Sequence, residues 1–252
     1  MDLRFIRHGE VDSTSERAFG AIAVGSARHG DVHLADAQTA GRGRFGRRWS
    51  SPSGEGVYAS LVLLPPPPPW SGAALTIAAG LAVLDAAAAL GVENVRLDWP
   101  NDLVVGDPGE EAKLAGVLVE TRGLEPSRPH YVVGIGWNVR QTQFPAELLA
   151  ERRVASLATL GIAVSVEHAT ETLLRSLVRR VEQIPRAGET LAADFLAATG
   201  LAGRLVRARV GEVDHEGVLE SIALARGVSL RSRDGGAQSF PLEIVRRLAR
   251  AL

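Results

Sequence analysis

The chain has 252 residues, with 28 Lys+Arg against 29 Asp+Glu for a net charge of −1, and no cysteine. Near-neutral charge excludes a global electrostatic pull toward nucleic acid or anionic lipid, so any basic site is local. The missing cysteines exclude disulfides, thiolate catalysis and cysteine-ligated zinc or iron–sulfur centres. A hydrophobic content of 46% beside 23% charged residues excludes wholesale disorder. The length suits one ordinary domain plus something modest, or a single large α/β unit.

The N-terminal MDLRFIRHGEVDSTSER is charged throughout and has no signal-peptide core. Leu3–Ile6 reads as a short strand. Asp12-Ser13-Thr14-Ser15 offers N-cap side chains, so a helix is expected to begin near Thr14. Val32–Ala35 reads as a strand, and Thr39 to Arg48 is a glycine- and arginine-rich segment with no apolar periodicity. Gly56 to Leu64 is strand-like. Pro65–Pro69 reads as a stiff polyproline II connector. Residues 73–92, AALTIAAGLAVLDAAAALGV, contain Thr76, Gly80, Asp85 and Gly91 and read as a buried helix, not a membrane span. A soluble cytoplasmic protein is expected. Val95–Trp99, Lys113–Thr121 and Tyr131–Val139 are strand-like, with a turn at Gly106-Asp107-Pro108-Gly109 between the first two. Helices are expected over 146–160, over 166–184 from the stripe Val166, Leu173, Leu177, Val181 and Ile184, and over 190–199 up to Gly200. After Gly203 short alternating runs predict a small antiparallel barrel of about 50 residues. A boundary therefore falls near residue 202, giving units 1–201 and 202–252.

Three constellations carry chemistry. In Gln38–Trp49, Gly41, Gly43 and Gly46 let backbone N–H groups approach a ligand, and Arg42, Arg44, Arg47 and Arg48 add fixed positive charge. Guanidinium groups grip phosphate or carboxylate at two points. The same composition also suits a solvated basic loop. No Walker loop is present, and Arg-Arg-Trp-Ser-Ser-Pro follows the glycines where a dinucleotide fingerprint needs an apolar helix. In the second constellation, Trp99-Pro100-Asn101-Asp102 precedes Lys113-Leu114-Ala115-Gly116-Val117-Leu118-Val119-Glu120. If the two strands pair as a hairpin, Lys113 lies near the Asn-Asp bend and can stabilise developing charge while Asp102 accepts a proton. A surface ion pair is the plainer alternative. The third is Gly134-Ile135-Gly136-Trp137-Asn138-Val139, whose glycines mark close approach of a ligand or another backbone. The six histidines are scattered without metal spacing, and no G-x-S-x-G elbow anchors a hydrolase triad.

In this order and spacing, Ser13-Thr14-Ser15, Gly41–Trp49, Trp99–Asp102, Lys113–Glu120 and Gly134–Val139 resemble the biotin–protein ligase family, in its form without an N-terminal DNA-binding domain. The resemblance spans residues 8–140 with specific motifs and continues more loosely to the C-terminus. It implies an α/β fold: a mixed sheet with helices on one face, of the class II synthetase-like biotin/lipoate ligase type, followed by a small Src-homology-3-like β-barrel. It also implies a two-step reaction. ATP and biotin, with magnesium, give biotinyl-5′-adenylate, and the acyl group passes to a lysine of a biotin carboxyl carrier domain. By this resemblance Ser13, Thr14, Gln38, Gly41, Arg42, Gly43, Gly116 and Gly136 serve biotin. Arg42, Arg44, Arg47, Trp49, Asn101, Lys113, Asn138 and Arg247 serve the nucleotide. Lys113, Arg44 and Asp102 are the catalytic set, Asp102 being the base for the acceptor amine. No metal-ligating residues are assigned.

The chain departs from the family pattern at several positions. Asp98 stands where the family has lysine, Ser15 where it has asparagine and Phe45 where arginine is common. Trp137 takes a usually smaller aliphatic place, which implies an altered biotin pocket. The short stretch before Ser13 leaves no room for a helix-turn-helix, so neither DNA nor membrane is an expected partner; a homodimer is compatible with the resemblance. A lipoate or acyl ligase on the same fold and a non-catalytic adenylate-binding relative are the alternatives.

Overall fold

The structure, a computed structural model, describes residues 1–64, 71–122, 129–232 and 235–251. The proline run at 65–69 lies outside the described residues, as does Asp234. Seven strands build one mixed sheet: β1 Arg4–Val11, β2 Asp31–Gln38, β3 Gly56–Leu63, β4 Val95–Asp98, β5 Asp102–Val105, β6 Ala112–Glu120 and β7 Tyr131–Asn138. Their spatial order is β1-β2-β3-β7-β6-β5-β4. β1 runs parallel to β2 and the other neighbours are antiparallel. The sequence reading has a single bend between β4 and β6; the chain reverses twice, with β5 between. Four residues flanked by Asn-Asp and Gly-Asp-Pro-Gly carry too short an alternation to signal a strand. The double reversal sets Asp98 opposite Asp102 and Val104 opposite Lys113.

Side chains alternate across a strand, so each strand serves two faces. On one face Leu61, Leu63, Val133, Ile135, Trp137 and Leu114 pack with Leu75, Ala78 and Leu81 of helix α2, Gly72–Ala89, and with Leu173 and Leu177 of the later long helix. Among the described residues α2 is the one helix long and apolar enough to cross a membrane. Its small side chains instead bring it close to its neighbours, and Ala78, Ala79, Ala82 and Ala86 are fully buried. Helix α1, Thr14–Ala23, lies on the opposite face, where Ala18 and Phe19 meet Val62 and Val132. The two long helices share one face, while Val62 and Ser60 point away from Leu61 and Leu63 and lie under α1.

The helix expected over 146–160 is shorter, α3 spanning Ala146–Glu151. At Arg152 the chain becomes extended (φ −164°, ψ 158°) and runs beside β6. The Lys113 N–H donates to the Arg153 carbonyl at 2.9 Å, and the Ala155 N–H to the Lys113 carbonyl at 2.9 Å. The two helices expected at 166–184 and 190–199 are one, α4 Val166–Thr199, with Pro185 inside and a break in helical geometry at Ala187 (φ −145°, ψ 34°). Proline removes an N–H and crowds the preceding turn, which bends the helix where the sequence pattern lapses.

The C-terminal strands β8 Leu205–Val210, β9 Val213–Ala223, β10 Gly227–Arg231, β11 Ala237–Phe240 and β12 Val245–Arg250 form a separate antiparallel sheet in the order β11-β10-β9-β8-β12. The Trp99 indole N–H donates to the Val245 carbonyl at 2.9 Å and meets Phe195 edge-on at 6.0 Å. This ties the Trp-Pro-Asn-Asp turn to β12, which carries Arg247.

Candidate active site

An open cleft of about 1810 Å³ lies where α1, the glycine–arginine loop, the β4–β5 turn and β12 converge. Every sequence-assigned site residue lines it except Gly41. Gly41 instead packs inside the loop, where a Cβ would stand 2.5 Å from the Trp49 carbonyl oxygen.

The cleft floor is the α1-side face of β3, β7 and β6. Ser60 pairs with Gly134, and Gly116 with Gly136. Three glycines on neighbouring strands leave the sheet bare of side chains. A Cβ on Gly134 would lie 3.1 Å from the Ser15 hydroxyl, and one on Gly116 would lie 3.2 Å from the Lys113 ammonium. A Cβ on Gly136 would strike the Trp49 indole at 2.3 Å. Trp49 therefore lies on the glycine floor itself, and its buried indole N–H has no protein acceptor. Trp137 is fully buried on the other face of β7, so the expectation that it alters the biotin pocket is corrected: alternation points it into the core.

The α1 end is a net of hydroxyls and one amide. Ser13 is the N-cap residue, yet its side chain makes no capping bond. The Gln38 carbonyl oxygen accepts from the Thr14 N–H at 2.9 Å and from the Thr14 hydroxyl at 3.2 Å, while its amide donates to Ser51 at 2.8 Å. Thr14 and Ser15 both reach the Ser60 hydroxyl, at 2.8 and 3.1 Å. The capping expectation located the helix start correctly, but these hydroxyls serve the cleft. Ser60 escaped the sequence reading. Its signal is a lone serine among the apolar and aromatic residues of Gly56–Leu63.

In the loop, two of the three arginines given to the nucleotide are held differently. Arg42 turns outward to Glu16 and to Glu120, the latter at 2.8 Å, and Arg122 joins the same carboxylates. The Arg122 hydrogen bond holds the Glu16 carboxyl well below its ordinary value, at about 2. Arg44 points inward, 3.5 Å from the Asn101 amide oxygen and 5.0 Å from the centre of the Phe45 ring. Burial lowers its pKa, and the nearby Asp102 charge opposes that. Phe45 sits in the left-handed region (φ 57°, ψ 36°) and is 66% exposed at the loop tip. Arg47 and the exposed Arg247 line the same cleft.

The charged centre lies beside the floor. The Lys113 ammonium is 2.6 Å from Asp102 Oδ1 and 5.3 Å from the centre of a Trp49 ring. Burial pushes its pKa down, and Asp102 opposes that. Arg152 donates to Asp102 Oδ2 at 2.8 Å. Asp98, directly across the strands from Asp102, is accessible within the cleft. Enclosure by the walls raises its pKa, the Asp102 charge raises it further, and Arg152 and Arg247 act against both. Asn101 braces the turn, its amide donating to the Val117 carbonyl at 2.6 Å. Asn138 is buried and donates to the Ala155 carbonyl at 3.0 Å, which positions the segment carrying Arg152 and Arg153 beside Lys113. Arg152 also escaped the sequence reading, because its role depends on an extended segment that looked helical.

Among the described residues no group of three His, Cys, Asp or Glu side chains is placed to hold a metal ion. What the cleft offers is a side-chain-free floor for a flat ligand, a hydroxyl–amide end for a polar ring, and a partly buried ammonium with guanidinium groups for two meeting anions.

Residues 9–138 match the sequence profile described as the Biotin/lipoate A/B protein ligase family. A Biotin--[acetyl-CoA-carboxylase] ligase of Mycobacterium tuberculosis is 34% identical over 231 residues, covering 89% of this chain and 79% of the relative. A protein of the same description from Paracoccus denitrificans is 31% identical, covering 92% of this chain and 95% of the relative. The structure is similar to a biotin protein ligase from Aquifex aeolicus solved with biotin and ATP, with a TM-score of 0.79, 27% identity, and coverage of 98% of this chain and 99% of that one.

Proposed function

Because the chain belongs to the Biotin/lipoate A/B protein ligase family, we propose that it is an ATP-dependent biotin–protein ligase that forms biotinyl-5′-adenylate and passes biotin to a lysine of a biotin carboxyl carrier domain. One observation carries the reading: Lys113 stands beside the bare Gly116–Gly136 floor, 2.6 Å from Asp102. An acyl chain laid on that floor brings its carboxylate to the ammonium. Condensing a carboxylate with an α-phosphate forces two anions together, and a partly buried ammonium reduces that repulsion most where water is excluded. The activity for which the relatives are named and the biotin and ATP bound in the Aquifex structure support the same assignment.

The roles follow from position. Ser13, Thr14 and Gln38 meet the polar ring of biotin, and Gly116 and Gly136 let it lie against the backbone. Lys113 bridges the carboxylate and the α-phosphate. Arg44, with Arg47 and Arg247, receives the nucleotide phosphates. Trp49 leaves the floor when biotin arrives and covers the adenylate, and its unpaired N–H gains an acceptor. Arg42 remains at Glu16 and Glu120 until the loop closes. The mixed anhydride hydrolyses readily, so closure protects it until the carrier docks. Asp102 then takes the proton of the acceptor amine as nitrogen attacks the acyl carbon and AMP departs.

Magnesium, which the family resemblance implies, would come bound to the triphosphate and screen its charge; among the described residues no group of three His, Cys, Asp or Glu side chains is placed to hold it. The unit from residue 202 contributes Arg247 through β12. The reading places the enzyme in the cytoplasm, where ATP and unmodified carrier are both present.

The deciding experiment is mass spectrometry of a biotin carboxyl carrier domain after incubation with this chain, ATP and either biotin or lipoate. Biotin-specific mass gain with pyrophosphate release is expected. Lipoate-specific gain, or retained ligand without transfer, overturns the assignment.

A further inference from the structure

The two reversals around β5 create an electrostatic problem. Asp98 and Asp102 are directly opposed across β4 and β5, and like charges facing one another across an antiparallel pair are destabilising. Asp102 is largely enclosed, its side chain 13% exposed, so its charge has little help from water. Two cations meet it, one on each oxygen: Lys113 at 2.6 Å and Arg152 at 2.8 Å. They come from different parts of the chain. Lys113 belongs to the sheet. Arg152 stands at the C-terminal end of α3, where the chain turns extended to run along β6.

We propose that Arg152 is the positioning residue of this site, holding the Asp102 carboxylate in place after Lys113 turns to the substrate anions. This rests on the ligase reading given above and adds a residue to it. One ammonium cannot stay against Asp102 and also neutralise a carboxylate and a phosphate. When Lys113 leaves, a carboxylate with no second partner would stand bare in an enclosed wall beside Asp98. Such a group is free to swing toward another partner, and out of place it cannot accept the proton of an acceptor amine. Arg152 prevents this because its contact is to the other oxygen, Oδ2, and needs no rearrangement when Oδ1 is freed. The same guanidinium acts against the crowding of Asp98, so one arginine compensates two opposed carboxylates.

The test uses the full chain with biotin, ATP and a biotin carboxyl carrier domain, in Arg152→Ala, Arg152→Lys and the double variant Asp98→Lys with Arg152→Ala. For Arg152→Ala the expected result is a kcat for carrier biotinylation about 10- to 100-fold lower, the lower range for a mispositioned general base, with the KM for biotin within about 3-fold of the parent, as for an interaction not made to the bound substrate. Arg152→Lys is expected to recover most of the loss. Asp98→Lys in the Arg152→Ala background is expected to recover it too, because it puts a cation directly across the strands from Asp102. A merely structural anchor for the end of α3 would not be replaced by a lysine on β4. A double variant as slow as Arg152→Ala overturns the proposal, as does a biotin KM that rises in step with the fall in kcat. If the parent chain itself makes no pyrophosphate from biotin and ATP, the ligase reading fails first, and that outcome is distinguishable from an active parent whose Arg152 variants behave otherwise.

Discussion

The strands β3, β7 and β6 present two unlike surfaces. Toward α2 and α4 they are filled to closure by Leu61, Ile135, Trp137 and Leu114. Toward α1 they carry Val62 and Val132 beneath the helix and, beside them, Ser60, Gly134, Gly136 and Gly116, where little projects. Residues one step apart thus have opposite duties: Trp137 stabilises the sheet and Gly136 leaves room on it. The difference teaches that the pocket is made by withholding side chains from one face, while the other face supplies the packing that holds the bared strands in place.

The largest expected effect tests the charged edge of the open face. Lys113→Ala removes the one ammonium beside the floor, and biotin-dependent pyrophosphate release is expected to fall about 1000-fold or more, as for loss of a key transition-state donor. Thermal unfolding should shift little, because Lys113 packs against Asp102 and Trp49 at the cleft and not in the core. Full activity in that variant would remove the catalytic assignment.

The mirror experiment is Trp137→Ala. It deletes a fully buried indole from the packed face, with an expected stability loss of about 3–5 kcal/mol in denaturant unfolding. The biotin affinity of the molecules that remain folded should hold near that of the parent. An affinity that collapses with the stability would mean the two faces are not separable.

How much of this was legible in the residues is uneven, and the two faces show why. The ordered motifs led to the family and through it to Gly116, and the glycines at 134 and 136 marked a close approach. Alternation along β7 already implied that Trp137 and Gly136 face opposite ways, yet Trp137 was read as a pocket residue from its place in a motif. Motif position carries no direction; only the parity of the strand does. Arg152 was illegible for another reason. Residues 146–160 have helical composition, and only the backbone exchange between Lys113 and the Arg153–Ala155 stretch makes Arg152 extended and sends it to Asp102. Long-range pairing overrode local propensity, as it also did for the four residues of β5. The outward hold on Arg42 depends on Glu16 and Glu120, which are distant in sequence.

A smaller effect is expected from adding one carbon to the open face. Gly136→Ala places a Cβ 2.3 Å from the Trp49 indole, and Trp49 belongs to the loop and not to the sheet. Folding should therefore tolerate it better than binding does. Biotin affinity by calorimetry is expected to weaken by about 1–3 kcal/mol, the range for one methyl misfit in a shaped pocket. Unchanged affinity would show that the floor is not where the ring lies.

The smallest expected effect concerns the same open face further along β2. His33 pairs in register with Ser60, on the side away from the core cluster that holds Val32 and Leu34. It is buried, 3.1 Å from the stacked His8, and one ring nitrogen has no partner. Burial, then the neighbouring His8, pushes its pKa down to about 4 from an ordinary 6.5. The folded state thus favours neutral His33. Its contribution is fully present above the unfolded value and is lost as pH falls from about 6.5 toward 4. The expected cost at pH 5 is on the order of 1–2 kcal/mol by proton linkage. The Glu16 carboxyl, held at about 2, gives up its own contribution only below its ordinary 4.5, outside this window. Unfolding free energies at pH 7 and pH 5 should therefore differ less in His33→Asn than in the parent, whatever the variant's absolute stability. An undiminished difference would assign the acid sensitivity to His8 and His130, whose values burial also lowers, and not to the buried ring whose one nitrogen lacks a partner.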